Sequence, residues 1–163
     1  MKFSSNKRTG FALLISVLTV YSCGTADRTP CTQTTVSVEA PQSEVTSLKQ
    51  YLDAQKIKAT ADKRGFFYTI QSAGSGAKPT ACSTVTVNYT GKLTNGTTFD
   101  SGNDVTFGLD QLILGWQEGI PLIAPGGRIT LYLPPSLAYG AQDQGDIPAN
   151  SILVFTIDLL AVL

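Results

Sequence analysis

The residues of chemical interest form an ordered string that generic β patterning does not explain. It runs Val87-Asn88-Tyr89-Thr90-Gly91, Phe99-Asp100-Ser101, Gly115-Trp116-Gln117-Glu118-Gly119, Ala138-Tyr139-Gly140, Ile147-Pro148 and Leu153-Val154-Phe155. Taken singly, each residue has a plain reading: a lone aromatic or leucine on a strand is core, Asp100 can cap a turn, and Tyr139 beside Gly140 is an ordinary loop aromatic. The chain has no histidine, so Ser-His-Asp and Cys-His devices are excluded, as is every zinc site that uses imidazole. Three cysteines cannot supply a four-thiolate site. Twelve basic residues balance twelve acidic ones with no run dense enough to follow a phosphate backbone, so nucleic acid is not an expected partner.

Elements of two kinds must position these residues. At 163 residues and 42% hydrophobic content the chain can bury one proper core. Val45, Leu48 and Leu52 fall at helical spacing between Glu44 and Lys56, with Lys49, Gln50, Asp53 and Gln55 opposite, which predicts one amphipathic helix. The segment 60–64 is polar and closes on Gly65, marking a boundary. Beyond it the period becomes two. Phe66 to Ile70, Val85 to Thr90, Ile129 to Leu133 and Ile152 to Val162 read as strands. Asn95-Gly96 predicts a tight hairpin with both central residues at positive φ. Leu112 to Ile120 has helical spacing in Leu112, Ile113 and Trp116 and stops at Pro121, so a short helix is expected there. The result is an α+β domain: a curved antiparallel β-sheet of about five strands on one short α-helix, with two long loops and an N-terminal amphipathic helix.

With these motifs in this order, the stretch 65–163 resembles the FKBP-type peptidyl-prolyl cis-trans isomerases. The leader and N-terminal helix resemble, more loosely, the extracytoplasmic bacterial members, including the macrophage infectivity potentiator type. The resemblance implies an apolar pocket between helix, sheet and loops, with Trp116 as floor and Tyr89, Phe99 and Phe155 as aromatic walls. Asp100 would be a polar contact on the rim, and the Tyr139 hydroxyl and Ile113 N–H donors to substrate carbonyls. Phe107, Leu112, Ile113 and Ile147 would complete the substrate-binding surface. The implied substrates are proline-containing polypeptides, and rotation about a peptide bond needs no nucleophile, cofactor or metal. The sequence departs from the family pattern in two places. The Asp100 to Phe107 loop is shorter and lacks the arginine often found there. The loop after Tyr139 is also short, carries Asp143 and Asp146, and places an acid directly before Ile147, which should alter preference for residues flanking proline. Val85 to Leu163 holds two basic and seven acidic residues, a net of −5, whereas Glu44 to Lys78 holds six basic and three acidic, a net of +3. The helix is therefore expected to dock on the domain by charge as well as packing, or to face anionic headgroups.

Ahead of the domain, Lys2, Lys7 and Arg8 precede an apolar stretch from Phe11 to Val20, a signal-peptide pattern too short for a membrane span. It ends in Ser22-Cys23, which resembles the bacterial lipoprotein box; an ordinary secretory signal with a cysteine near its cleavage site is the alternative. The expected organisation is a lipoprotein signal peptide over 1–22, a flexible tether over 23–43, helix and linker over 44–64, and the isomerase-like domain over 65–163. Lipidation of Cys23 would anchor the protein in the cell envelope. Gly24, where aspartate favours inner-membrane retention, points to the outer membrane, facing the periplasm. Without residues 1–22 the chain has nine basic and twelve acidic residues, a net of −3. An oxidising compartment allows a bridge between Cys31 and Cys82, worth roughly 4 kcal/mol in the chain-entropy model; two unrelated thiols are the alternative. Two functional readings stand beside each other, an isomerase of exported proteins and an FKBP-like binding or chaperone module with little turnover. They separate on rate.

Overall fold

The structure, a computed structural model, describes residues 31–32 and 35–163. The leader 1–22 and Cys23 lie outside the described residues. The elements in chain order are α1 (Gln42–Ala54), β1 (Thr60–Ala61), β2 (Phe67–Ser72), β3 (Thr84–Leu93), β4 (Thr98–Gly108), α2 (Leu114–Gly119), β5 (Gly127–Leu133) and β6 (Leu153–Val162). All neighbouring strands are antiparallel, in the order β1-β2-β5-β6-β3-β4. Six strands stand where about five were expected. One addition is the two-residue β1, which pairs with β2 and ties the segment after α1 to the sheet.

The alternation read from the sequence decides which face each residue covers. Val85 and Val87 of β3, Ile129, Leu131 and Leu133 of β5, and Leu153, Phe155, Ile157 and Leu159 of β6 share one face with Trp116, Ile120 and Ile123 in a single buried cluster. The intervening residues point the other way, and there Phe67 and Tyr132 pack with Leu48 and Leu52 of α1 in a second cluster. The helix thus covers one end of the outer face of its own sheet.

Three local expectations are corrected. The stretch from Asp100 to Phe107 is not a loop but most of β4, paired with β3 from Lys92↔Thr98 to Thr84↔Gly108. Its continuity depends on a bulge at which Asp104 adopts φ 57° and donates its N–H to the Asn88 Oδ1 at 2.7 Å. The hairpin at Asn95-Gly96 has only Gly96 at positive φ, 89°. Its N–H bonds the Leu93 carbonyl at 2.9 Å, and the Asn95 side chain accepts the Thr97 N–H at 2.9 Å, giving the wider hairpin that ends in a glycine bulge. Leu112 and Ile113 are extended, so the helix begins only at Leu114, and Pro121 sits in a 3₁₀ turn from Ile120 to Leu122.

Part of the segment expected as a tether is held. Cys31 and Cys82 form a disulfide with Cα atoms 5.5 Å apart. Val38 donates its N–H to Glu118 Oε1 at 2.9 Å, and Ala40 donates to the Arg64 carbonyl at 2.8 Å. Residues 31–163 form one compact unit.

Candidate functional site

Helix α2 is six residues long and sits close to β5 because of two glycines four apart. A Cβ on Gly115 would lie 2.5 Å from both δ carbons of Leu133, and one on Gly119 would lie 2.6 Å from both δ carbons of Leu131. Trp116, next to Gly115 on the helix and 4% exposed, lies beside this contact, and its ring is the floor of a cavity of about 200 Å³. Tyr89, Asp100, Phe107, Leu112, Ile113, Trp116, Tyr139 and Phe155 line it together.

The rings meet edge to face. Trp116 stands 5.2 Å from Tyr89 at 81°, 5.3 Å from Phe155 at 90° and 6.2 Å from Phe107 at 85° between centroids and planes. Each such pair adds about 0.5–1.5 kcal/mol to plain area burial, so the walls hold one another in place. Phe99 stands behind Phe155 at 5.5 Å and 88°. Room for both comes from Gly91 on β3, where a Cβ would fall 2.6 Å from the Phe99 ring and 2.8 Å from that of Phe155.

Polar groups are few. The Tyr89 hydroxyl donates to Asp100 Oδ2 at 2.8 Å across the β3–β4 pair. Burial first, and the Asp100 carboxylate second, push the Tyr89 hydroxyl up to about 12, so it keeps its proton throughout the physiological range. Tyr139 is 39% exposed at the mouth, and burial together with Asp100 raises its hydroxyl as well. The Ile113 N–H has no hydrogen-bond partner among the described residues, because Ile113 precedes the first turn of α2 in extended conformation. The indole N–H of Trp116 is buried and likewise unpartnered.

Of the ten pocket residues expected from the sequence, eight line this cavity. The other two, Phe99 and Ile147, line an adjoining depression of about 330 Å³ with Asp100, Tyr139, Gln144, Gly145 and Asp146. A further hollow of about 310 Å³ lies on the outer face of the sheet, lined by Tyr89, Lys92, Arg128, Thr156 and Asp158 among others. Among the described residues no group of acidic, cysteine or histidine side chains is arranged to hold a metal ion, and no helix is long and apolar enough to cross a membrane.

The structure adds residues that sequence reasoning did not single out. Glu118, 1% exposed, lies on the back of α2, where Val38 holds one oxygen and Arg64 Nε stands 3.9 Å from the other. Burial raises its pKa, partly offset by the Val38 N–H and Arg64. Arg64 is itself fixed by Asp62 at 2.7 Å. Glu44 of α1 accepts the Ser136 N–H at 2.9 Å, in the 3₁₀ turn that leads to Tyr139. The one signal in the sequence was Glu118 as the single ionisable residue on that short helix.

The comparisons with known proteins agree with this arrangement. A family model described as FKBP-type peptidyl-prolyl cis-trans isomerase matches residues 75–160. The FKBP-type peptidyl-prolyl cis-trans isomerase FkpA of Aeromonas hydrophila is 44% identical over 120 residues, 70% of this chain and 45% of that protein. The peptidyl-prolyl cis-trans isomerase Mip of Coxiella burnetii is 42% identical over 123 residues, 70% of this chain and 53% of that one. The chain spans about half the length of these curated relatives. Among solved structures, FkpA from Escherichia coli superposes with a TM-score of 0.67 at 38% identity, covering 74% of this chain and 60% of that one. A peptidyl-prolyl cis-trans isomerase from Pseudomonas syringae gives 0.66 at 32% identity, covering 77% and 98%.

Proposed function

Since the chain belongs to the FKBP-type peptidyl-prolyl cis-trans isomerase family, we propose that its aromatic cavity catalyses rotation about Xaa–Pro peptide bonds in polypeptides exported to the cell envelope. The observation that carries this reading is the enclosure of Tyr89, Asp100, Trp116, Tyr139 and Phe155 around one small apolar cavity with only a few donors at its edge.

The barrier to rotation, about 18–20 kcal/mol, comes from amide resonance. Proline substrates suit such a catalyst because their cis form lies only ~0.5–1 kcal/mol above trans, yet exchange takes tens to hundreds of seconds. The prolyl ring rests on Trp116 between the other rings. The planar amide is the more dipolar and better hydrated form, so carrying it into an apolar cavity weakens the planar states relative to the twisted one. Tyr139 and the Ile113 N–H hold the flanking carbonyls, and only interactions stronger in the twisted state raise the rate. Each 1.36 kcal/mol gained there is about tenfold. The Tyr89–Asp100 bond fixes the rim.

The charged and apolar leader ending in Ser22-Cys23 supports a lipid anchor at Cys23, and Gly24 supports residence at the outer membrane, facing the periplasm. Two or more acyl chains hold a protein on a bilayer where one binds only marginally. Cys23→Ser should release the protein into the soluble fraction, and a wild type free of lipid mass would refute the anchor.

The decisive experiment follows isomerisation of Xaa–Pro peptides bearing several flanking residues. Acceleration over the uncatalysed rate is expected; rates equal to it for every peptide, with binding retained, would mean that the cavity holds proline segments without turning them over.

A further inference from the structure

The depression beside the cavity combines apolar walls with acidic residues. It shares Asp100 and Tyr139 with the cavity, so a ligand leaving the cavity there passes directly into it. Its walls, Phe99 and Ile147, are apolar and suit the stem of a long side chain. Its far side is a tight turn in which Gln144 and Ile147 exchange two backbone hydrogen bonds of 2.9 and 3.0 Å, with Gly145 at φ 57°. This turn places Asp146 at the edge of the depression, exposed and with no hydrogen-bond or ion-pair partner among the described residues. The neighbouring Asp143 differs: its carboxylate accepts the Ala149 N–H at 2.7 Å and closes the base of the loop. The two cations after Val85, Lys92 and Arg128, both lie on the outer-face hollow, where Arg128 is paired with Asp158 at 3.1 Å. No cation lines the cavity or the depression.

From this geometry we infer that Asp146 is a specificity-determining residue that favours substrates with lysine or arginine next to the proline. The stem of such a residue lies along Phe99 and Ile147 while its head reaches the Asp146 carboxylate, with Asp100 adding a second negative charge. A glutamate in the same place meets two carboxylates and no cation. The inference rests on the isomerase reading above and extends it to a substrate class.

The test uses the full chain and two series of proline peptides, with lysine, leucine or glutamate placed before or after the proline. An exposed pair of this kind contributes little more than a factor of about five. In at least one series kcat/KM should therefore follow lysine, leucine, glutamate, with lysine over glutamate by a factor of about two to five at low salt. The ratio should shrink as added salt shortens the screening length to a few ångströms. Asp146→Asn should reduce the ratio and Asp146→Lys should invert it, with urea midpoints near that of the wild type because the side chain is exposed. An active enzyme whose lysine-to-glutamate ratio is near one in both series, or is unchanged by either substitution, overturns the inference. Failure to accelerate any peptide, leucine included, overturns the isomerase reading and this inference with it.

Discussion

Substituting one glycine on α2 tests how the pocket floor is set. Gly115→Ala places a methyl 2.5 Å from both δ carbons of Leu133, against an ordinary contact of 3.4–4 Å. Leu133 is fully buried and its two methyls are equally close, so a turn about its Cβ–Cγ bond cannot clear both and the packed core resists swinging the whole side chain. The helix must rise from β5 by on the order of 1 Å, a shift that in a positioned site can cost about 10²-fold in rate. Two energies oppose each other. Alanine is better than glycine within a helix by about 0.8–1.0 kcal/mol, whereas overpacking a filled core costs about 1–3 kcal/mol. The net is a loss of about 0–2 kcal/mol, with a larger effect on rate than on folding, because Trp116, the next residue on α2, moves with the helix and lines a cavity of only about 200 Å³. Urea midpoints and isomerisation rates on one peptide read both quantities. Gly115→Ala combined with Leu133→Val should recover part of the rate and show coupling of at least about 0.5 kcal/mol, as contacting residues do. If Gly115→Ala is more stable than wild type and isomerises at the wild-type rate, the close approach of α2 to β5 does not set the floor.

Three further outcomes are expected. Tyr139→Phe should leave the urea midpoint nearly unchanged, since the ring is 39% exposed, while removal of the donor lowers the rate several-fold, equivalent to about 1 kcal/mol; a large midpoint shift with an unchanged rate would make Tyr139 a core residue. Reducing the Cys31–Cys82 bridge, which closes a separation of 51 residues, should lower stability by roughly 4 kcal/mol by chain entropy, and thermal melts with and without reductant measure it. Because burial raises Glu118 above its ordinary pKa, protonation favours the fold: its contribution is complete below the ordinary carboxylate range and is lost as pH rises through the raised value. Urea midpoints across that window should fall less steeply with pH in Glu118→Gln than in wild type, and parallel profiles would refute the assignment.

Period two was visible in the sequence wherever one face of a strand is buried. Val85 and Val87, Ile129 to Leu133, and Leu153 to Leu159 alternate because their partners lie in one core. β4 beyond Phe99 was not visible because it is an edge strand with most of its side chains exposed. The run Asp100-Ser101-Gly102-Asn103-Asp104 has no apolar face to alternate, and what makes it a strand is the backbone ladder to β3 and the Asn88 side chain holding Asp104. The hairpin was visible but its turn type was not, since Asn95 turns its side chain to the Thr97 N–H instead of adopting positive φ. The cavity residues come from β3, β4, β6, α2 and two loops, so no periodicity could assemble them, and only their order as motifs pointed to a shared site. Contacts between distant residues were the least legible: 80 residues separate Val38 from Glu118, and 92 separate Glu44 from Ser136.

Those distant contacts explain how so short a helix serves as a floor. Six residues are far below the length at which an isolated helix persists in water, and no side chain caps the start of α2. Its position must therefore be imposed from outside. On one side Gly115 and Gly119 seat it against Leu133 and Leu131. At its entrance Gln117 donates to the Leu112 carbonyl at 2.7 Å, bracing the extended residues that expose the Ile113 N–H. At the back Glu118 binds Val38 and faces Arg64, so the N-terminal segment acts as a strap behind the cavity. A few residues later the same segment enters α1, whose Glu44 holds the turn before Tyr139. Floor and mouth are thus referenced to one stretch of chain, which the disulfide at Cys31 ties to Cys82, just ahead of β3. A catalyst that works by preferring one shape of amide depends on walls that do not yield to the ligand. Here Gly115, Gly119, Glu118 and Glu44, none of which lines the cavity, hold those walls in place.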